Sequence, residues 1–156
     1  MKKTYSDMIK LYLTSSFIFF TVLGVAQNYT ALNGPYSGTP SKIISTGSSL
    51  IGTVYGNGLL KSTDNGITWT ATNTGLTNLY LNDITRDAVS GKLYALAYSQ
   101  VFTSTDNGAN WSLTANSGFT NGRFIRKATS FLYIIGGNNV IYRSSNDGVT
   151  WSQVNS

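Results

Sequence analysis

No cysteine, histidine or glutamate occurs among the 156 residues of this chain. Each absence removes a class of chemistry. Without cysteine there are no disulfides and no thiolate metal sites. Without histidine, the many serines have no imidazole to activate them, and the usual zinc ligand sets cannot be assembled. Without glutamate, every carboxylate is one of six aspartates. Proline is scarce, at two residues, whereas glycine (16) and tyrosine (10) are plentiful. That is the composition of an all-β chain with many turns. Charge is sparse too. The formal net charge is +5, but Lys2, Lys3 and Lys10 lie in an N-terminal leader, and the remainder carries +3. So small and scattered an excess argues against nucleic acid as a partner.

Long apolar runs are confined to one place. Lys2, Lys3 and Lys10 form a basic start, and Leu11 to Ala26 is mostly apolar around Phe17, Phe19 and Phe20. Gly24-Val25-Ala26 then offers small residues for cleavage before Gln27. Residues 1–26 read as a signal peptide, with residues 27–156 as the mature domain. The alternative is a retained anchor, but the apolar run is shorter than the roughly 20 residues a spanning helix needs. The expectation is export to the periplasm, the cell surface or the medium, with no stable membrane insertion after cleavage.

What is present is a repeat. Ser62-Thr63-Asp64-Asn65-Gly66-Ile67-Thr68-Trp69 returns as Ser104-Thr105-Asp106-Asn107-Gly108-Ala109-Asn110-Trp111. It returns once more, altered, as Ser144-Ser145-Asn146-Asp147-Gly148-Val149-Thr150-Trp151. The tryptophans recur at intervals of 42 and 40 residues, the period of a propeller blade. Apolar residues lead into each copy and an alternating segment leaves it, so each copy is a tight hairpin turn between two strands. The aspartate can accept bonds from backbone N–H groups ahead of it, and glycine supplies positive φ. Asn146 can replace aspartate in that role.

The pattern Ser-x-Asp-x-Gly-x-x-Trp resembles the Asp-box, or bacterial neuraminidase repeat. That family includes sialidases, xyloglucan-degrading hydrolases, photosystem assembly factors and many secreted proteins. The resemblance implies β-propeller blades of four antiparallel strands and a structural role for Ser62, Asp64, Gly66, Trp69, Ser104, Asp106, Gly108, Trp111, Ser144, Asn146, Gly148 and Trp151. Three complete blades are expected, at about 41–74, 79–116 and 121–156. Tyr29 to Asn33 matches Trp69 to Asn73, a lone outer strand ahead of them. An arc of three blades with a spare strand suggests part of a 6–8-bladed propeller; two copies joining their arcs is the other route. Open blade faces would expose apolar rows such as Ile51, Val54, Leu93 and Leu96 and invite self-association.

Catalysis is not expected. Glycoside hydrolysis usually takes two carboxylates about 5 to 9.5 Å apart. Outside the leader and the boxes, Asp83 and Asp87 are the free acids, and on one strand they stand about 13 Å apart. A sialidase resemblance would imply a tyrosine paired with glutamate and three arginines on the sugar carboxylate. Glutamate is missing, and Arg86, Arg123, Arg126 and Arg143 read as ordinary strand or loop charges. No catalytic residue, metal ligand or cofactor is assigned. The family's blade layout implies that loops 34–40, 75–80 and 117–123 share a face with loops 56–58, 98–100 and 136–139. These carry Tyr36, Tyr80, Tyr98, Phe119 and Arg123, rings and a guanidinium suited to a glycan or a protein surface. The reading is therefore a non-catalytic binding or scaffold module, with the N-terminal part of a secreted sialidase-like or xyloglucanase-like glycoside hydrolase as the alternative.

Overall fold

Glycine-rich turns and alternating apolar residues fold the chain into short antiparallel hairpins, and those hairpins assemble into three separate sheets of four strands. The computed structural model describes residues 39–114 and 118–154. The leader, the Tyr29–Asn33 segment and Tyr36 lie outside the described residues. The first sheet comprises β1 (Thr39–Ser45), β2 (Leu50–Tyr55), β3 (Gly58–Ser62) and β4 (Thr70–Ala71). The second comprises β5 (Asp83–Arg86), β6 (Leu93–Ala97), β7 (Gln100–Ser104) and β8 (Ser112–Leu113). The third comprises β9 (Gly122–Lys127), β10 (Leu132–Gly136), β11 (Ile141–Ser144) and β12 (Ser152–Gln153). Within each sheet the strands pair in chain order, and no α-helix occurs among the described residues. Three four-stranded blades form an open arc.

Register makes the blades superimposable. Leu50 faces Ser62, Leu93 faces Ser104 and Leu132 faces Ser144. The outermost strands are shorter than expected, two residues each. The residues just before them are engaged in the turn instead. In every copy the serine hydroxyl works in both directions. Ser62 accepts the Gly66 N–H and donates to Asp64, both at 2.8 Å. Ser104 and Ser144 do the same with Gly108 and Asp106, and with Gly148 and Asn146. Asp64, Asp106 and Asn146 then accept the N–H of Thr68, Asn110 and Thr150 at 2.9 Å. Each tryptophan donates its indole N–H to the box glycine carbonyl, so Trp69, Trp111 and Trp151 are equivalent.

The altered third copy follows from the backbone. Asn65, Asn107 and Asp147 are left-handed, with φ of 59°, 59° and 58°. The position before them needs an acceptor oxygen, and this one needs tolerance of positive φ. Asn and Asp satisfy both demands, so exchanging them keeps the turn. Hydrogen bonds from the Thr68 hydroxyl and N–H hold the Asp64 carboxyl at about 2. The Asn110 N–H and amide do the same for Asp106, also to about 2.

Packing between blades divides one strand's side chains in two. Along β6, Leu93, Ala95 and Ala97 join a core with Ile51, Leu59, Leu81, Ile84, Phe102 and Trp111. Tyr94 and Leu96, on the opposite face, join Val101, Phe119, Ile125, Leu132, Ile134 and Trp151. Strand alternation thus feeds both blade interfaces. This corrects the expectation for Ile51, Val54, Leu93 and Leu96, all of which are buried. Ile51 lies against the second blade, and the second blade has a neighbour on each side. Glycines make the close approach possible: a Cβ on Gly75 would stand 1.9 Å from the Trp111 carbonyl oxygen, with φ already at +87°.

Asp83 and Asp87 are not free either. Asp83 is buried at the inner edge of the arc and ties the three blades together. It accepts Lys42 Nζ at 2.9 Å from the first blade and the Ile125 N–H at 2.9 Å from the third, together with Arg126. The oxygen that accepts Lys42 also accepts the Ile84 N–H. Asp87 caps the β5–β6 turn, accepting the Val89 and Ser90 N–H groups.

Candidate ligand-binding cleft

The loop rims of the two blade junctions carry different side chains. At the first junction Tyr55, ending β2, meets Tyr80 edge to face with ring centroids 5.3 Å apart. At the second junction the place of Tyr55 is taken by Tyr98, and the place of Tyr80 by Asn121. An amide is much smaller than a phenol ring. Beside it lies an open cavity of about 410 Å³ lined by Asn82, Tyr98, Asn121, Arg123 and Phe124.

Backbone geometry aims these side chains. Tyr98 sits in the β6–β7 turn with φ of 26°, and Asn121 precedes β9 with φ of 53°. Non-glycine residues rarely hold such values unless surrounding bonds fix them. Here the Gly122 N–H donates to the Tyr98 carbonyl and the Gly137 N–H to the Asn121 carbonyl. Asn82 donates its amide to the Gly122 carbonyl at 2.7 Å. The β9–β10 pairing skips Arg123, from Phe124 opposite Ile135 to Gly122 opposite Gly136. Arg123 is therefore a bulge residue, and bulges re-aim a side chain away from the regular ladder. The first sheet has the same skip at Ser41.

Tyr98 and Arg123 are thus brought together, as parts of one exposed rim, with two amides and a second ring. Tyr80 is exposed but belongs to the first junction. Phe119 is not on the surface. It is buried against Trp151 at 5.3 Å and Tyr142 at 6.2 Å, because its loop turns inward beneath Gly122. Sequence reading missed Asn82, Asn121 and Phe124. The signal available was position: Asn82 and Arg123 stand at matching places ahead of β5 and within β9. The cleft offers a cation, amide donors and acceptors, and ring faces. It holds no aspartate among its lining residues. No three potential metal ligands cluster among the described residues.

A model of the BNR/Asp-box repeat matches residues 60–71 and 102–113. No curated protein sequence matches the chain. Solved structures do. YCF48 bound to a D1 peptide superimposes with a TM-score of 0.67 at 19% identity, over 82% of this chain and 46% of that one. The GH74 enzyme of Niastella koreensis gives 0.59 at 23%, over 80% and 19%. PorZ, a surface component of the type-IX secretion system of Porphyromonas gingivalis, gives 0.54 at 16%, over 74% and 16%. The chain spans less than half the length of each. The likeness establishes a β-propeller type of fold, shared by a peptide-bound protein, a secretion-system component and an enzyme.

Proposed function

We propose that this chain is an exported, non-catalytic binding module that holds an extended protein segment across its loop rim. The observation that carries this is the cleft of Tyr98, Arg123, Asn82, Asn121 and Phe124. Two amides can pair with a peptide's backbone groups, the rings can cover its apolar side chains, and Arg123 can fix a carboxylate. YCF48, of similar fold, has been seen with a peptide. A glycan remains the second ligand class, since exposed tyrosines also stack on sugar faces.

The test pans random peptides displayed on phage against the chain and against Arg123→Ala, beside a glycan array. Enriched peptides that lose about tenfold in affinity on Arg123→Ala, the worth of one charge-assisted bond, support the proposal. Hits confined to glycans would transfer the cleft to carbohydrate. Binding untouched by Arg123→Ala and Tyr98→Ala would move the site elsewhere.

A further inference from the structure

Arg123 is the one cation among the residues lining the cleft. Its guanidinium has no hydrogen-bond or ion-pair partner among the described residues, so its placement rests on the backbone that carries it. That backbone changes phase at Arg123. In a regular strand, alternate residues turn their N–H and C=O groups to the same neighbour. Gly122 turns both groups to the second blade: its N–H donates to the Tyr98 carbonyl, and its carbonyl accepts the Asn82 amide at 2.7 Å. Phe124 and Arg126 would follow suit in a regular strand. It is the Ile125 N–H instead that reaches the second blade, donating to Asp83 at 2.9 Å. The skip at Arg123 accounts for the change, because it inserts one residue between Gly122, opposite Gly136, and Phe124, opposite Ile135.

Asn82 and Asp83 thus hold β9 on either side of its change of phase. They are consecutive residues where β5 begins, and the second blade fixes both: the Asn82 N–H donates to the Leu96 carbonyl at 2.7 Å, and Asp83 pairs with Leu96 in the ladder. Asp83 is buried and lines no part of the cleft.

We infer that Asn82 and Asp83 form a clamp that locks the bulge at Arg123, which makes Asp83 a positioning residue of the cleft. The inference rests on the cleft being the binding site. Without the two bonds the extra residue can slide along β9, and a slip of one residue turns a side chain to the other face of its sheet. With them, the guanidinium is presented before a ligand arrives, and that stretch of backbone need not be ordered on binding.

Nuclear magnetic resonance on the full, ligand-free chain tests this with Asp83→Ala and Asn82→Ala. In both, the backbone carbon shifts of Gly122, Arg123 and Phe124 should move. The Gly122 amide should exchange about tenfold faster, the worth of one hydrogen bond. The amides that pair β10 with β11 should keep their wild-type shifts and exchange rates. Lys42→Met is the control: it removes the ion pair of Asp83 with the first blade and leaves both strand bonds, so the rim should match wild type. Unchanged resonances from Gly122 to Phe124 overturn the inference. So does an equal acceleration of the β10–β11 amides, which would mean a loosened blade and not a freed bulge. So does a Lys42→Met chain that behaves like Asp83→Ala. Should Asp83→Ala not fold, Asn82→Ala, at a partly exposed site, decides by the same criteria. No ligand is used, so panning without enriched peptides would count against the peptide reading and leave this result standing.

Discussion

The middle blade and its two neighbours share one pattern of strands, turns and box, yet the same register position has different surroundings in each. Ile84 and Ile125 are packed beneath a preceding blade, and Ile43 faces outward. Tyr94 is buried under the Asp147 turn, and Tyr133 is half-exposed. The difference teaches that a blade of this kind does not bury its own apolar residues. Each sheet is one layer thick, and burial comes from the next layer, as in other stacked repeats. Stability should therefore follow junctions more than blades.

The largest effect should come from breaking a junction where backbone meets backbone. Gly75→Ala places a methyl against the Trp111 carbonyl and forces a side chain into positive φ. A loss of about 2 to 5 kcal/mol is expected from overpacking and left-handed strain together. Chemical denaturation would measure it. A loss below about 1 kcal/mol would show that the linker shifts freely over the second blade.

The isoleucine series sharpens the comparison directly. Ile84→Ala and Ile125→Ala should each cost about 2 to 5 kcal/mol, the usual range for emptying a packed site. Ile43→Ala, at low concentration, should stay within about 0.5 kcal/mol, like other exposed substitutions. Equal losses at all three positions would refute the idea that junctions, not blades, hold the fold.

Much of this arrangement was legible in the sequence. The box spacing marked three equivalent turns, and the alternation around them marked the strands. Which face of each strand found cover was not legible. Leu93 and Leu96 lie on opposite faces of β6, and only a neighbour on each side buries both. The cleft was half legible. Tyr98 and Arg123 announce themselves as exposed loop residues. Phe119 looked the same but turned inward, because loop direction depends on the positive φ of Gly118 and Asn121 rather than on composition. Asp83 looked idle because its partners, Lys42 and Arg126, lie some 40 residues away on either side.

A smaller effect separates the boxes from one another. Ser104→Ala removes the acceptor for the buried Gly108 N–H at 2.9 Å. A cost of about 1 to 3 kcal/mol is expected, the price of an unmet buried donor. Ser62→Ala leaves the Gly66 N–H without its acceptor in the same way. It should cost less, because Asn65 is exposed and the Trp69 ring that closes this turn is half-buried, whereas Trp111 is buried. Equal losses would place the serine's contribution wholly inside the turn.

The smallest effect is acid sensitivity, and it distinguishes the first two boxes from the third. Asp64 and Asp106 have folded-state values of about 2, below the ordinary 3.8. A depressed carboxyl stabilises the fold fully above its unfolded value, and that contribution fades as pH falls through the folded value. The window is therefore about pH 4 down to pH 2. In the third box Asn146 makes the same backbone contacts without a charge, and its amide donates to Thr150 where Asp64 accepts from Thr68. The double variant Asp64→Asn, Asp106→Asn should keep all three turns. Its melting temperature should lie slightly below wild type at pH 6, where the charged acceptors act, and the gap should narrow steadily as pH falls towards 2, where the wild-type carboxyls are about half protonated. Thermal melts across that range, at fixed low protein concentration, would follow the gap. A gap that stays constant with pH would mean that the carboxyl charge contributes nothing beyond the oxygen that asparagine also supplies.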